Sequence, residues 1–206
     1  MENTLYIVDD HSIVRFGLKE WLETNSKWKV TNSYSNSTDC LKQLKLLGKK
    51  SPLLPEIIII DVQLVEETGF ALCKEITKNY KNIKCVMYSM YNTSGYVLQA
   101  IESGAMGYIS KISSEENLLH CLEVVKQGRN YLEDEMKAVQ IQLVDLIDGF
   151  TKQEKTIFEA LLQGKTNEQI GEELFISTKT VNNYVCRIYK KVAVKDREEL
   201  LLKYRR

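Results

Sequence analysis

Residues Glu56–Leu64 read EIIIIDVQL: four consecutive isoleucines with an aspartate, Asp61, directly against them. A run that is apolar at every position has no half-polar face. It fits a strand buried on both sides, as in a parallel sheet covered by helices. The flanking sequence repeats the unit. TLYIV, WKVTNSY, IKCVMYS and GYIS read as further short strands. SIVRFGLKEWLET, STDCLKQLKLL, TGFALCKEITKNY, TSGYVLQAIESG and SEENLLHCLEVVKQG carry apolar residues at helical spacing. The βα unit thus occurs five times, and the expected fold class is α/β with a parallel (βα)5 sheet. Ligands of such sheets gather at the carboxyl ends of the strands, which is where Asp61 stands.

The other strand ends are polar too. The first strand ends in Asp9-Asp10, the fourth in Ser89 and the fifth in Lys111. In a strand order 2-1-3-4-5, strands one and three are neighbours and three carboxylates converge. Unshielded, they repel and raise one another's pKa. A hard divalent cation bound through oxygen relieves this, and Mg2+ is the ordinary choice. A lysine and a hydroxyl at the adjacent edge can bind the oxygens of a phosphoryl group carried on one carboxylate. The bland alternatives are that Asp10 or Ser12 only caps the next helix and that Lys111 is a solvated side chain.

Composition places few further limits. The chain has 206 residues, 44% hydrophobic and 27% charged, which suits a soluble chain with two small domains. Its longest aliphatic run is too short to span a bilayer, and MENTLYIVDD lacks the basic and apolar segments of a secretory signal. Five widely spaced cysteines (Cys40, Cys73, Cys85, Cys121, Cys186) form no C-x-x-C pair and read as reduced, mostly buried cytosolic thiols. Formal charge is balanced overall but not locally. Residues 1–150 hold 16 Lys and Arg against 20 Asp and Glu; residues 151–206 hold 12 against 8. A basic C-terminal part on an acidic body points to a polyanion partner for that part alone.

The set Asp9-Asp10, Asp61, Ser89 and Lys111 is spaced by 28 residues from Asp61 to Ser89 and 22 from Ser89 to Lys111. In that spacing, residues 3–130 resemble the receiver domain of bacterial two-component response regulators. VDDH and SGAMGYISK resemble the subfamily with a NarL/FixJ-type output domain. The resemblance implies a flavodoxin-like (βα)5 receiver with Asp61 as phosphoacceptor. It implies Mg2+ held by the carboxylates of Asp10 and Asp61, the backbone carbonyl of Gln63, and Asp9 through water. It further implies Ser89 as switch hydroxyl, Tyr108 as switch aromatic and Lys111 as partner of the phosphoryl group. The family's Asp-x-x-Met-Pro-x-x-x-Gly is here Asp61-Val-Gln-Leu-Val-Glu-Glu-Thr-Gly69: the glycine is in register, but Leu64 and Val65 replace Met-Pro. The loop loses the fixed φ of proline. Glu66 and Glu67 add negative charge, and Ile112 replaces the proline that often follows the lysine.

Glu133–Phe150 lacks proline and is apolar at intervals, so it reads as a helical connector or as the first helix of a second domain. Beyond it, Thr151-x-x-Glu154 is a capping box opening a helix that Gly164 closes. Asn167–Leu174 is a second short helix, FIS a tight turn, and Ser177 the N-cap of a third helix to about Val192. A last helix starts near Asp196. Short helix, tight turn and longer helix make a helix-turn-helix. In the third helix Val181, Val185, Ile188 and Val192 share one face, while Lys179, Asn182, Asn183, Cys186, Arg187 and Lys190 lie on or beside the other. Asparagine and arginine there suit base edges and phosphates of double-stranded DNA; a merely solvated face is the alternative. GKTNEQIGEELFISTKTVNNYVCRIYKKVAVKDREEL resembles the NarL/FixJ/LuxR-type DNA-binding domain, whose last helix commonly forms the DNA-bound dimer contact. Three residues depart from that pattern: Gln153 stands for arginine, Asn182 for lysine and Tyr184 for histidine.

The expected organisation is a receiver over 1–130, a helical linker over 131–148 and an all-α, four-helix helix-turn-helix domain over 149–206. The expected function is a cytoplasmic DNA-binding transcriptional regulator, phosphorylated on Asp61 by a sensor histidine kinase and homodimeric when phosphorylated or DNA-bound, with no membrane partner. The alternative is a phosphorylation-independent DNA binder with an atypical receiver. An enzyme of the haloacid dehalogenase type would place a carboxylate where Gln63 stands, and no nucleotide-binding glycine loop occurs, so no enzymatic activity is expected.

Overall fold

The structure is a computed structural model that describes residues 3–65, 67–91, 94–133, 137 and 149–204. The chain divides into two compact units, the first holding Met1–Asn92 and Gln99–Glu133, the second Thr93–Leu98 and Asp134–Arg206.

Along residues 3–126 the chain alternates β1 (Asn3–Val8), α1 (Ser12–Asn25), β2 (Trp28–Tyr34), α2 (Ser37–Leu47), β3 (Ile57–Asp61), α3 (Gly69–Asn79), β4 (Lys84–Ser89), α4 (Ser94–Glu102), β5 (Gly107–Ser110) and α5 (Glu115–Lys126). The helices start where short polar side chains take up free first-turn amides. Asn36, Thr68 and Ser114 accept from the amides of Asp39, Ala71 and Asn117. The sheet is parallel throughout, in the order β2-β1-β3-β4-β5-β6. Its last strand, β6 (Tyr131–Leu132), is absent from the reading of the sequence. Two residues are too few for any periodicity, and pairing with Gly107 and Tyr108 defines the strand. Ile57–Ile60 are fully buried, as a strand covered on both faces requires.

Gly69 opens α3 against the end of β3. A Cβ placed on it would lie 1.9 Å from the Asp61 carbonyl oxygen, so only glycine fits. Its amide donates to the Val62 carbonyl at 2.8 Å, and Gln63 bridges to Thr68, closing the loop after Asp61.

In the second unit, α6 (Lys152–Leu162), α7 (Asn167–Leu174), α8 (Thr178–Val192) and α9 (Arg197–Tyr204) enclose a core of Ile157, Phe158, Leu161, Ile170, Val181, Val185, Ile188, Val192 and Leu200. Thr151 and Glu154 form the expected capping box, Thr166 and Gln169 a second one, and Ser177 caps α8. Gly164, after α6, sits at φ +80°. The helical linker expected over 131–148 falls outside the described residues except for Tyr131–Glu133 and Lys137. Among the described residues no helix is long and apolar enough to cross a membrane. Cys40, Cys73, Cys85 and Cys121 are buried free thiols and Cys186 is exposed.

Two glycines predict opposite outcomes. Gly69→Ala should lower the unfolding free energy by about 3 kcal/mol through overpacking against a backbone oxygen. Gly17→Ala, inside α1 with nothing within 4 Å of the new Cβ, should raise it by about 1 kcal/mol through helix propensity. Urea denaturation of the two variants checks both.

Candidate functional site

Parallel pairing brings the polar strand ends together. Val8 pairs with Ile60, Asp61 with Tyr88, and Ser89 with Ser110. Asp9, Asp61, Ser89 and Lys111 therefore line one end of the sheet, and the Lys111 amide donates to the Ser89 carbonyl at 2.8 Å. The N-cap of α1 is His11, whose side chain makes no capping bond, so the acidic pair lies before the cap and is turned to other use.

One ammonium joins two of the carboxylates. Lys111 Nζ donates to Asp9 Oδ2 at 2.6 Å and to Asp61 Oδ2 at 2.8 Å. Both carboxylates are buried, Asp9 at 2% and Asp61 at 5% exposure, and Lys111 is partly buried. The Asp9 Oδ1 accepts from the His11 amide at 2.8 Å, its carbonyl accepts from the Arg15 guanidinium, and Asp61 Oδ1 accepts from the Gln63 amide at 3.4 Å. Burial raises the Asp61 pKa above the usual carboxylate range; the hydrogen bond and charge of Lys111 oppose this, and the Asp9 charge adds to it. Burial alone would lower the Lys111 pKa, but its bonds to Asp61 and Asp9 outweigh that and hold it above the ordinary value.

Asp10 completes the acidic group. Ligand atoms of Asp9, Asp10, His11 and Asp61 all lie within 4.8 Å of one another. Asp10 Oδ1 is buried and receives no hydrogen bond: His11 Nδ1 lies 2.7 Å away, but its hydrogen-bonding direction serves Asp9 Oδ1 at 3.3 Å. A buried carboxylate oxygen without a donor, among other carboxylates, matches the oxygen donor set that a hard divalent cation takes.

At the adjacent edge, Ser89 Oγ is buried and accepts from the Tyr91 amide at 3.0 Å. Tyr108 is buried as well, and its hydroxyl donates to the Tyr91 carbonyl. The backbone of Tyr91 thus joins the two residues that the sequence singled out as hydroxyl and aromatic. Glu133 is a second addition. Its carboxylate accepts from the Ser110 amide at 3.2 Å and from the Ser113 hydroxyl, tying the segment after β6 to the loop that carries Lys111. Neither residue had a signal in the sequence: Tyr91 acts through its backbone, and Glu133 depends on β6. His11 did stand in the VDDH motif. The loop with Ile112 contains no cis peptide, nor do the other described residues.

In the second unit the buried stripe of α8 is Val181, Val185, Ile188 and Val192. Lys179, Asn182, Asn183, Cys186, Arg187 and Lys190 are all exposed. They are not equally available. Arg187 lies over the Tyr184 ring, 5.8 Å from its centre, and Tyr184 donates to Gln153 Oε1 at 3.4 Å. Asn182 Oδ1 accepts from Asn167 Nδ2 at 2.7 Å. Lys191 binds the buried Glu154 at 2.8 Å and the Gly149 carbonyl at 2.9 Å, fixing the end of α8 to the start of α6. That bond, with the Thr151 amide, holds Glu154 below the usual carboxylate range.

Comparison with known proteins extends both halves. Residues 5–123 match the response regulator receiver domain, and residues 148–203 match the luxR family of bacterial regulatory proteins. The chain is 27% identical over 202 residues to the DNA-binding transcriptional activator DevR/DosR of Mycobacterium tuberculosis, covering 95% of this chain and 90% of that one. It is 27% identical over 199 residues to the response regulator protein VraR of Staphylococcus saprophyticus, covering 95% and 92%. Among solved structures it resembles RcsB in two dimers bound to two parallel DNAs, with a TM-score of 0.74, 20% identity and 99% and 98% coverage. It also resembles ChrA of a heme-sensing two-component system, with a TM-score of 0.56, 26% identity and 98% and 96% coverage.

Removing the bridging ammonium should expose the charge problem. In Lys111→Met only the Gln63 amide still opposes the effect of burial on Asp61, so its pKa rises further. A carboxyl whose folded pKa exceeds its unfolded value contributes stability that is full below the unfolded pKa and is lost as pH rises through the folded one. The variant should be less stable than the parent by about 3 kcal/mol at neutral pH, with the deficit shrinking as pH falls toward about 4. Denaturant unfolding at a series of pH values measures it.

Proposed function

The chain belongs to the family of response regulator receiver domains and carries a LuxR-type DNA-binding domain behind it, and from that premise we propose that phosphorylation of Asp61 controls its hold on DNA. The observation that carries this reading is the Lys111 ammonium, held between the buried carboxylates of Asp61 and Asp9. A sensor histidine kinase is the phosphodonor. An Asp61 carboxylate oxygen attacks phosphorus; the new O–P bond forms as the N–P bond to the kinase imidazole breaks, and the imidazole leaves with the electron pair. Lys111 exchanges its bond to Asp61 for the phosphoryl oxygens, and the Ser89 hydroxyl donates to another. Asp10 and Asp61, the Gln63 carbonyl and Asp9 through water would hold Mg2+, which supplies charge neutralisation at the phosphoryl oxygens when bound. The orphaned Asp10 oxygen supports that assignment. Displacement of Ser89 and Lys111 is transmitted through Tyr91, Tyr108 and Glu133, shifting the population that exposes the output unit or pairs two copies through α9.

The receiver is residues 1–130 with β6 and Glu133 added to it, and the output unit is residues 149–206, with α8 the helix that enters the major groove. The chain acts in the cytoplasm, a setting that suits its four buried free thiols, and it works as a regulator rather than an enzyme. One observation favours the alternative of a DNA binder independent of phosphorylation. Tyr108 is buried and its hydroxyl donates to the Tyr91 carbonyl, the inward arrangement that the switch would otherwise have to produce.

Incubation with acetyl phosphate and Mg2+ separates the two. The parent chain should gain one phosphoryl group by intact mass and bind promoter DNA about tenfold more tightly. Asp61→Asn, or removal of Mg2+ by a chelator, should abolish the mass gain and the tightening. Equal DNA affinity in all samples would support the alternative.

A further inference from the structure

Asn182 stands on the exposed face of α8, where a lysine is usual in the family it resembles, and its amide is held in one orientation by a relay from α9. Arg197 Nη2 donates to Asn167 Oδ1 at 2.6 Å, and Asn167 Nδ2 donates to Asn182 Oδ1 at 2.7 Å. Arginine carries N–H donors and no acceptor. The Asn167 atom that meets it is therefore oxygen, so the Asn167 nitrogen faces Asn182. The Asn182 atom that receives this nitrogen is oxygen in turn. A side chain that can only donate thus decides both amides. The relay is anchored at its ends: Arg197 also donates to the Lys165 carbonyl, and Asn167 is the first residue of α7 behind the Thr166 capping box. The Asn182 carbonyl is turned to the start of α7. Both hydrogens of its Nδ2 are left without a partner among the described residues.

Resting on the reading of α8 as the helix that meets DNA, we propose that Asn182 reads its base purely as a hydrogen-bond donor. A freely rotating asparagine takes adenine with one donor and one acceptor. Here the acceptor is engaged, so the matching edges are guanine N7 and O6 or thymine O4, with adenine offering N7 alone beside its N6 donor. Cytosine, which presents its N4 donor in the major groove, is refused. Asn167 and Arg197 are positioning residues for this choice.

The test is selection from a randomised duplex library by the full chain in the presence of acetyl phosphate and Mg2+. The parent should enrich guanine or thymine over cytosine at one base position by about tenfold. Asn167→Asp keeps an acceptor for Arg197 and sets an acidic residue at a helix N-terminus, where it is favourable. It leaves no donor for Asn182, so the Asn182 amide turns its nitrogen to the carboxylate and its carbonyl outward. Preference at that single position should invert to cytosine or adenine by about tenfold, with the rest of the site unchanged. Asn182→Asp, at an exposed position, presents only acceptors and should move the same position to cytosine; this variant decides the matter if Asn167→Asp does not fold. A parent that enriches a duplex while neither variant alters any base overturns the proposal and leaves the DNA-binding reading standing. A parent that enriches no duplex overturns both.

Discussion

One partly buried ammonium between two buried carboxylates is the constraint on which the receiver half depends. Lys111 reaches Asp9 and Asp61 but does not reach Asp10, whose Oδ1 is left without a donor. Three carboxylates and one ammonium leave a negative excess, which Arg15, bonded to the Asp9 carbonyl, only partly offsets. Buried ion clusters of this kind are weak sources of stability, since apolar replacements of similar volume often fold as well or better. The cluster has the donor set of a binding site rather than of a structural ion pair. Burial keeps water from screening it, so an added charge at Asp61 must redraw the local bonds. Lys111 is the group free to do so, because its two partners stand on strand ends and it stands on a loop.

The strand that leads to Lys111 also leads outward. Tyr108 lies on β5, Lys111 follows it, and β6 adds to the outer edge of β5 in parallel register. Glu133 then turns back to hold the Ser110 amide and the Ser113 hydroxyl on either side of Lys111. A shift of Lys111 is therefore a shift of the loop that Glu133 grips, and the chain that leaves the first unit begins at Glu133. On the other side of β5, the Tyr91 backbone accepts from Tyr108 and donates to Ser89. Two routes thus start from the same three strand ends. Both consist of hydrogen bonds that exist in one arrangement and would have to be exchanged in another.

The sheet was legible because its central strands are short, mostly apolar runs that end in polar residues. Helix starts were legible because Thr151 and Ser177 are capping side chains in the expected positions, while Thr166 adds a cap to the helix expected from Asn167. The bland reading of the acidic pair, as a cap for α1, gave way to His11 at that position. What stayed hidden shares a physical cause. β6 is too short for periodicity, Tyr91 contributes only its backbone, and Glu133 has a partner only once β6 has placed it. Asn182 shows the same limit from another side. Residue type placed it on the outer face of α8, but its bond to Asn167 depends on α7 and α9 packing beside it.

The departures in the second unit make sense together rather than singly. Gln153 and Tyr184 replace an arginine and a histidine of the family pattern, and here they bond to each other, with Arg187 set over the tyrosine ring. A cation has been exchanged for a neutral acceptor on α6, and its counterpart on α8 has become a phenol that donates to it. Asn182 follows the same logic. A lysine is a mobile point charge that accepts many geometries, whereas an asparagine fixed by Asn167 has two N–H bonds in one plane. Mobile charge chiefly strengthens contact with phosphates of any sequence, while fixed donors discriminate among base edges. The face of α8 therefore carries a fixed, neutral donor at Asn182 in place of a non-directional cation. Lys179 and Lys190 remain exposed cations on that face.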